Sequence, residues 1–232
     1  GSPLPMSLQR TDESMANSVQ AVFFDLDGTL LDTLQDLADS GNAALERLGH
    51  EQHPIAAYRH FVGSGMSALA ERILPPPAND REAASQCLKI LREEYGRRWD
   101  HSTRPYDGIA AMLDELQSAG MPLSVLSNKP HDFTCLTVER LLGNWTFAHV
   151  RGVDDTTPPK PDPQGALALM DTMSADPSRC LYVGDTSIDM QTAHAAGMIS
   201  VGVTWGFRDE QELRAHDAHY IIHTPSELLD LT

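Results

Sequence analysis

Two aspartates follow directly on an apolar run near the start of this 232-residue chain. The run, Val-Phe-Phe at 22–24, consists of bulky residues and suits a strand that is buried on both faces of a parallel sheet. Asp25 and Asp27 would project to the same side, because side chains alternate along an extended chain, and Gly28 permits a sharp turn after them. Two adjacent carboxylates repel each other, a conflict that a shared proton or a hard divalent cation such as Mg²⁺ resolves.

Two simpler explanations of these aspartates fit the sequence less well. A calcium-binding EF-hand loop that began at Asp25 would need glycine at the position of Leu30 and glutamate at the position of Asp36. An acidic surface turn seldom follows a fully apolar run and leads into a second apolar pair, which here is Leu30-Leu31. We therefore favour an acidic site at the end of a buried strand.

The charge of the chain limits what it binds at long range. The sequence holds 17 Lys and Arg against 33 Asp and Glu, a formal net charge of −16, with a pI near 4.8. A field of this sign repels nucleic acid and anionic membranes, so we expect neither as a partner. An anionic substrate must therefore be bound by local positive groups or by a metal.

Composition also bears on domain number and location. The length and the 41% hydrophobic content suit a globular chain of one large domain or two modest ones. No stretch resembles a signal peptide or reaches the roughly 18 apolar residues of a membrane span, and we expect residues 1–18 to be a disordered tail or a remnant of cloning. Cys87, Cys135 and Cys180 are widely spaced among apolar residues, which predicts reduced thiols and a cytoplasmic location.

The spacing of apolar residues divides the chain into two patterns. Helical spacing alone is found in residues 34–102, with helices predicted at 34–48, 54–61, 66–73 and 80–99. From residue 104 onward helices alternate with predicted strands, at 122–126, 147–150, 180–183, 199–203 and 220–222. Alternation of this kind predicts an α/β fold, a Rossmann-like parallel sheet with helices on both faces, interrupted after its first strand by a helical insertion.

Polar side chains follow three of the predicted strands. Asp25 ends the first, Ser127-Asn128 follows the second, and Asp185 follows a later one. Ligands of open α/β sheets bind outside the carboxyl ends of the strands, so we expect these residues to converge. Lys160, in a rigid loop between prolines, could reach into the same crevice.

Each of these residues also has a structural explanation when taken alone. Ser127 and Asn128 favour helix N-caps and could simply begin the next helix. Lys160 could be a solvated surface lysine, and Asp185 an N-cap with Asp189 exposed on the helix that follows. Their occurrence together, in order and at strand ends, makes a shared site the better interpretation.

Four motifs resemble those of the haloacid dehalogenase-like hydrolase superfamily: Asp-Leu-Asp-Gly-Thr at 25–29, Ser127, Lys160 in Lys-Pro-Asp-Pro, and Gly-Asp-Thr-Ser-Ile-Asp at 184–189. Three further segments are similar to its phosphoglycolate phosphatase group: Ser-Asn-Lys-Pro at 127–130, Ala-Ala-Gly-Met at 195–198 and Val-Gly-Val-Thr-Trp-Gly-Phe-Arg at 201–208. The resemblance implies that the insertion is an α-helical cap. We accordingly expect a cap domain at 34–103 and a core domain formed by 19–33 and 104–232.

The resemblance also implies a role for each motif residue. Asp25 would attack phosphorus and form an aspartyl phosphate, while Asp27 would protonate the leaving oxygen and then activate water. Ser127 and Lys160 would bind the phosphoryl oxygens. Mg²⁺ would be bound by the Asp25 and Asp185 carboxylates and the Asp27 backbone carbonyl. Asp189 would support the site, and the implied substrate-binding residues are Thr29, Asn128, Gly63, Ser64 and Gly65.

The choice of substrate is expected to lie in the cap. The loop at 63–65 resembles the substrate loop of the superfamily. Arg59, His60 or Arg72, close to it in sequence, could bind a carboxylate of a small substrate, and an exposed structural role is equally open for each of them.

These roles make a Mg²⁺-dependent phosphatase the leading hypothesis, with a small phosphorylated metabolite as substrate, most like 2-phosphoglycolate, and an aspartyl phosphate as intermediate. Pro158-Pro159 before Lys160 departs from the group's pattern, which weakens glycolate as the leaving group. The alternatives are a phosphatase for a sugar phosphate or pyrophosphate, a β-phosphoglucomutase-like phosphomutase, and a non-catalytic regulatory protein. We expect a monomer or a homodimer.

Overall fold

The computed structural model describes residues 18–232, and eight strands are found there: β1 (Ala21–Phe24), β2 (Leu31–Asp32), β3 (Arg104–Pro105), β4 (Leu123–Pro130), β5 (His149–Val153), β6 (Cys180–Gly184), β7 (Ile199–Val203) and β8 (Tyr220–Ile222). Six of them form one sheet in the order β5-β4-β1-β6-β7-β8, and every neighbouring pair is parallel. The order places β1 in the interior of the sheet, which explains its continuous apolar run.

The helices of the described residues are α1 (Leu34–Arg47), α2 (Tyr58–Phe61), α3 (Met66–Ile73), α4 (Arg81–Arg98), α5 (Ile109–Ser118), α6 (His131–Leu141), α7 (Gln164–Thr172), α8 (Ser187–Ala196) and α9 (Glu210–Ala215). Short 3₁₀ helices lie at Ile55–Ala57, Pro177–Arg179 and Pro225–Leu231. No helix of residues 18–232 is both long and apolar enough to cross a membrane.

Side chains of β1 pack into a different hydrophobic cluster on each face of the sheet. Phe24 joins a cluster that includes Leu113 of α5, whereas Phe23 joins one that includes Ala166 of α7 and Ala193 of α8. All four residues of β1 are buried. The structure thus confirms the predicted α/β fold with helices on both faces of a parallel sheet.

Helices α1 to α4 lie between β2 and β3 and share a third hydrophobic cluster, which includes Tyr58, Leu69, Leu91 and Tyr95. We refer to α1–α4 and their connections as the cap, and to the rest of residues 18–232 as the core. Phe133 and Phe207 also join this cluster from the core side. The cap therefore packs on the core through apolar side chains, although most of its contacts are internal to its own helices.

The two chain segments that join cap and core are fastened to each other. Strands β2 and β3 pair in antiparallel register, and Asp36, in the first turn of α1, accepts hydrogen bonds from the chain that returns to the core. Its carboxylate, 1% exposed, accepts from the N–H groups of Ser102 and Thr103 and from the Thr103 hydroxyl at 2.8–3.0 Å. Three donors to one buried carboxylate fix the position at which the cap joins the core.

The structure corrects several predicted boundaries. Strand β4 continues to Pro130 instead of ending at 126, and β5 spans 149–153 instead of 147–150. The helix predicted at 54–61 is a 3₁₀ turn followed by the single turn of α2. Strands β2 and β3 and helix α9 were not predicted, because two-residue strands and a six-residue helix are too short to show periodicity. The predicted disordered tail falls largely on residues 1–17, outside the described residues.

A buried glutamate joins α4 to α1. Glu94, whose side chain is 4% exposed, forms ion pairs with Arg47 on α1 and with Arg97 and Arg98 on its own helix. Burial raises the pKa of the Glu94 carboxyl, but hydrogen bonds from Arg98 and Arg47 outweigh burial and hold it below its ordinary value of 4.5. Folding therefore favours the ionised form of Glu94.

We expect Glu94→Gln to lower the free energy of unfolding at pH 7 by about 1–3 kcal/mol, the usual contribution of hydrogen bonds to charged groups. Because the folded pKa lies below the unfolded one, this stabilisation is fully present above about pH 4.5 and is lost as the pH falls through the folded value. Urea unfolding at pH 7 and at several pH values below 4.5 measures the difference. Glu93→Gln is the control, since Glu93 is 42% exposed. A Glu94→Gln deficit that does not shrink below pH 4.5 would contradict the ionic explanation.

Candidate active site

The acidic residues meet where β1 and β6 end. Phe24 pairs with Val183 in the sheet, so Asp25 and Asp185 follow their strands at the same edge. Asp189 lies in the first turn of α8. Carboxylate oxygens of Asp25, Asp185 and Asp189 lie within 4.8 Å of one another, and all three residues are buried. The convergence expected from the strand ends is therefore present for these aspartates.

Two donors distant in sequence bind the carboxylate of Asp185. Thr29 Oγ1 donates to Oδ1 at 3.1 Å, and the Phe207 N–H donates to Oδ2 at 2.9 Å. Burial raises the pKa of Asp185 to about 7, Asp189 adds to the rise, and the two donors oppose it. Gly28 has a φ of +84°, and a Cβ there would lie 2.3 Å from Asp185 Oδ2, so the turn requires glycine. The Thr29 hydroxyl, predicted to bind substrate, therefore helps to fix Asp185.

Lys160 is the ammonium group that faces these carboxylates. Its Nζ lies 2.7 Å from Asp189 Oδ1 and 3.2 Å from Asp25 Oδ1, and it donates to the Tyr182 hydroxyl at 2.7 Å. Burial lowers the pKa of Lys160, but Asp189 and Asp25 outweigh burial and hold it well above its usual value. Asn128 fixes the loop, since its side chain accepts from the Lys160 N–H at 2.7 Å and donates to the Lys160 carbonyl at 3.0 Å.

The charge of this cluster fits a divalent cation. Burial and then Asp189 raise the pKa of Asp25 well above its usual value, and Lys160 opposes the rise only in part. If all three carboxylates ionised beside one ammonium, two negative charges would be left unbalanced, and buried charge is costly unless it is compensated. Carboxylate oxygens are the ligands that hard divalent cations prefer. The residues present therefore fit a metal ion.

Asp189 differs from the other two aspartates in how its oxygens are used. Oδ1 accepts from Lys160, while Oδ2 accepts from the N–H groups of Asp185 and Thr186 and completes a capping box at the start of α8. Its bonds thus fix the positions of Lys160 and of the backbone that carries Asp185. Asp25 and Asp185 are the carboxylates we would assign to a metal, with Asp189 in the supporting role predicted for it.

Asp27 lies beside a charged residue that the sequence analysis missed. Lys129 Nζ contacts both carboxylate oxygens of Asp27, at 3.0 and 3.1 Å, and donates to the Tyr95 hydroxyl at 2.5 Å. The Lys129 side chain is 1% exposed. Burial lowers its pKa, but Asp27 and Tyr95 have the larger combined effect and hold the pKa above its usual value. A buried, charged lysine therefore separates Asp27 from the cap helix α4.

A cavity of about 30 Å³ lies between the edge of the sheet and the cap. The core side of its lining consists of Asp25, Asp27, Ser127, Asn128 and Lys129, and the cap side of Leu37, Val62, Gly63, Gly65, Met66 and Leu69. Ser127 Oγ accepts from the Lys129 N–H at 3.1 Å, which leaves its own O–H to donate to a ligand. Carboxylates and a hydroxyl therefore face an apolar wall across a small space.

The predicted cap residues are distributed differently. Both glycines of the 63–65 loop line the cavity, whereas Ser64 accepts a hydrogen bond from Arg72 at 2.9 Å and is not part of the lining. Arg59 donates to a core carbonyl at 3.1 Å. Neither Arg59, Arg72 nor His60 is among the residues that line this cavity.

Sequence comparison decides the family. The family model of haloacid dehalogenase-like hydrolases matches residues 22–203. The chain belongs to this family. The match runs from Val22 in β1 to the end of β7 and includes every residue of the acidic cluster.

Individual relatives agree with that membership. A phosphoglycolate phosphatase of Neisseria meningitidis serogroup A is 37% identical over 204 residues, which cover 86% of each chain. A phosphoglycolate phosphatase of Pseudomonas putida is 32% identical over 213 residues, 90% of this chain and 78% of the relative. A solved structure from Lactobacillus delbrueckii subsp. bulgaricus, provisionally assigned to the same activity, has a TM-score of 0.84 at 29% identity and covers 91% of this chain and 97% of its own.

Phe207 and Arg208, in the segment that follows β7, connect the acidic site of this hydrolase to its cap. Phe207 binds Asp185 through its N–H while its side chain packs in the cap cluster. Arg208 donates to the backbone carbonyls of Arg59 and Val62 in the cap. In the sequence, Phe207 and Arg208 are notable only as part of a segment similar to phosphoglycolate phosphatases. Their function as a bridge depends on a contact between segments about 150 residues apart, which no local pattern reveals.

Gly65 brings the cap loop against the core. It has a φ of +91°, and a Cβ at this position would lie 2.8 Å from the backbone oxygen of Asn128. We expect Gly65→Ala to push the loop away from the cavity and to lower kcat/KM at least about tenfold, because misplacement of about 1 Å at a reacting centre can cost 100-fold. Steady-state kinetics and thermal unfolding measure the two effects.

The control for Gly65→Ala is Gly49→Ala. Gly49 also has a positive φ, +78°, but no atom lies within 4 Å of its Cβ position. Both variants carry the same kind of backbone strain, of order 1–3 kcal/mol. Equal activity in the two variants would show that the approach of Gly65 to Asn128 is unimportant for catalysis.

Proposed function

We propose that this hydrolase is a Mg²⁺-dependent phosphatase that hydrolyses 2-phosphoglycolate or a phosphomonoester of similar size. The observation that carries the proposal is the position of Asp25. Its buried carboxylate stands 3.2 Å from the Lys160 ammonium and beside Asp185, and it lines a cavity that also contains Asp27 and Ser127. A nucleophile, a charge clamp, a metal ligand and an acid are thereby within reach of one bound phosphoryl group.

The proposed reaction proceeds in two displacements. Asp25 attacks phosphorus, a bond forms between its carboxylate oxygen and phosphorus, and the bond to the leaving oxygen breaks as Asp27 donates a proton to that oxygen. Asp27 then removes a proton from water, which attacks the aspartyl phosphate and releases inorganic phosphate and free Asp25. Ser127 and Lys160 bind phosphoryl oxygens through both steps. Mg²⁺, when bound, neutralises charge on the phosphoryl group and the carboxylates.

The size of the barrier explains why so many groups are needed. Accelerations for phosphate monoester hydrolysis reach about 10²¹-fold, and a general acid accounts for only about 10²–10⁴ of such a factor. Nucleophile, acid, metal and charge clamp must therefore act together. The presence of the whole set argues against the alternative of a non-catalytic regulatory protein.

The cap side of the cavity supports a small leaving group. Its side chains Leu37, Val62, Met66 and Leu69 offer no hydrogen-bonding groups to the hydroxyls of a sugar. Relatives named phosphoglycolate phosphatase match most of the chain. The relatives favour 2-phosphoglycolate over a sugar phosphate, pyrophosphate or a phosphomutase substrate, whereas the apolar wall offers a partner neither to sugar hydroxyls nor to the carboxylate of glycolate.

We also propose a cytoplasmic location. All three cysteines are free, and Cys87 and Cys180 are buried. Unpaired thiols suit a reducing compartment. Association as a monomer or a homodimer stays a prediction from the sequence.

The substrate proposal predicts a kcat/KM for 2-phosphoglycolate at least about tenfold above that for glucose 6-phosphate, β-glucose 1-phosphate or pyrophosphate, since a small difference in pocket fit is worth about 10–200-fold. Release of inorganic phosphate measures each rate. Asp25→Asn should lower every rate by on the order of 10⁴-fold or more, because the nucleophile is lost. Conversion of β-glucose 1-phosphate to glucose 6-phosphate would identify a mutase and refute the proposal.

The metal proposal predicts that a chelator abolishes phosphate release and that Mg²⁺ raises the thermal unfolding midpoint. A ligand at 100 times its Kd stabilises the folded state by about 2.7 kcal/mol. Asp185→Asn should remove most of this Mg²⁺-dependent shift, whereas Asp230→Asn, at an exposed position, should keep it. Differential scanning fluorimetry measures both. If Asp185→Asn kept the full Mg²⁺-dependent rise in the unfolding midpoint, the metal would have to bind at another site.

A further inference from the structure

Lys129 is buried between the core and the cap and contacts a group from each. Its ammonium reaches both oxygens of the Asp27 carboxylate, at 3.0 and 3.1 Å, and the hydroxyl of Tyr95 on α4, at 2.5 Å. The three N–H donors of a lysine match these three acceptor atoms. The ammonium also stands 4.4 Å from the centre of the Tyr95 ring. Both groups therefore restrain Lys129, and Lys129 in turn restrains Asp27.

Tyr95 reaches Lys129 because α4 packs against the core where β4 ends and α6 begins. The Tyr95 ring packs edge-on against Phe133 of α6, with ring centres 4.9 Å apart. One turn earlier on α4, Arg92 forms an ion pair with Asp132 and lies 4.9 Å from the centre of the Phe133 ring. The Tyr95 side chain is completely buried. The packing of α4 against the core thus holds the Tyr95 hydroxyl beside Lys129 in the active site.

We propose that Lys129 and Tyr95 are positioning residues that orient the carboxylate of Asp27 for proton transfer, and that this orientation is complete only while α4 is packed against the core. The proposal rests on the function proposed above, in which Asp27 is the acid and base. Neither Lys129 nor Tyr95 exchanges a proton with the substrate in this arrangement. They act by fixing the direction of the Asp27 carboxylate.

The geometry of Asp27 explains why such positioning is needed. Asp27 follows the end of β1, in the turn before Gly28, and its side chain is 17% exposed, so the sheet does not fix its torsion angles. Contact of one ammonium with both oxygens fixes the direction in which the carboxylate points, because both oxygens must face the Lys129 Nζ. Proton transfer needs the acid within hydrogen-bond distance of the leaving oxygen. Lys129 meets this need from β4, and Tyr95 links it to the cap.

The test distinguishes an effect on protonation of the leaving group from an effect on binding of the substrate's carboxylate. Three substrates are used: 2-phosphoglycolate, with a carboxylate and a basic leaving group; ethyl phosphate, with a basic leaving group alone; and p-nitrophenyl phosphate, whose leaving group departs without a proton. The value of kcat/KM is compared because it reports the steps up to loss of the leaving group. Wild type, Lys129→Met and Tyr95→Phe are measured with each substrate at saturating Mg²⁺.

For Lys129→Met we expect kcat/KM to fall about 100-fold or more with 2-phosphoglycolate and with ethyl phosphate, the range in which general acids contribute. With p-nitrophenyl phosphate it should stay within about threefold of wild type, because no proton is needed. Tyr95→Phe keeps the ring contact with Phe133 and loses only the hydroxyl. For Tyr95→Phe, kcat/KM should fall about five- to tenfold with 2-phosphoglycolate and ethyl phosphate, the effect of one hydrogen bond, and should change little with p-nitrophenyl phosphate.

Matched variants distinguish positioning from a loss of structure. Tyr58→Phe removes another buried cap hydroxyl, one that donates to Asn42 within the cap, and Lys89→Met removes an exposed lysine of α4. Both should leave all three kcat/KM values unchanged. Thermal unfolding of every variant reports folding. Should Lys129→Met fail to fold, Tyr95→Phe still decides the question.

Two results would overturn the proposal. Equal losses with all three substrates would assign Lys129 a general structural role. A loss confined to 2-phosphoglycolate would show that Lys129 binds the substrate's carboxylate instead of orienting Asp27. The substrate assignment is tested separately. If the wild type does not cleave 2-phosphoglycolate but cleaves the other two esters, that assignment is refuted. The comparison of ethyl phosphate with p-nitrophenyl phosphate still tests the roles of Lys129 and Tyr95.

Discussion

Three carboxylates share the buried edge where β1 and β6 end, and one ammonium stands beside them. Charges taken out of water are costly unless fixed donors or counter-ions compensate them. Much of the surrounding architecture supplies that compensation: Lys160 comes from a loop clamped by Asn128, Thr29 from the first turn, and Phe207 from the loop after β7. The remaining negative charge is what suits the site to a divalent cation and an anionic phosphoryl group.

The cap solves a different problem, since it closes this site without adding charge to it. Its lining side chains are apolar or glycine, and apart from the hydroxyl of Tyr95 on Lys129, the polar contacts that it makes with the core use side chains outside this lining. On one side Arg208 donates to cap carbonyls, and on the other Arg92 pairs with Asp132. Apolar closure lowers the local dielectric, which strengthens every electrostatic contact that the core makes with a phosphoryl group.

The fold and the acidic cluster could be predicted from sequence because their signals are local. A buried strand shows as an apolar run, and the residue after it lies at the ligand-binding edge of the sheet, which located Asp25 and Asp185. Lys129 gave no such signal. Ser-Asn-Lys-Pro looks like a turn after a strand, yet β4 continues through it to Pro130. The partner of Lys129, Tyr95, is 34 positions away on a helix where any aromatic residue would look like core.

The cap contacts were unpredictable for a related reason. Arg72 and Arg59 are basic residues near a glycine loop, which made them candidates for binding a carboxylate. In the folded chain they donate instead to Ser64 and to a core carbonyl. Which way a long, flexible side chain turns depends on the acceptors that tertiary structure places within its reach. A sequence pattern restricts backbone and burial, but it carries no information about those acceptors.

The small cavity also constrains the order of events. The volume of about 30 Å³ has room for about two water molecules and is smaller than a phosphomonoester, so the proposed substrate needs more room between cap and core than this arrangement gives. On the proposal for Lys129 and Tyr95, a separation that moved α4 would withdraw the Tyr95 hydroxyl from Lys129 and loosen its hold on Asp27. Such an open form would lack an oriented acid and base. Closure around a substrate would restore the contact, and the same movement would exclude water and align Asp27.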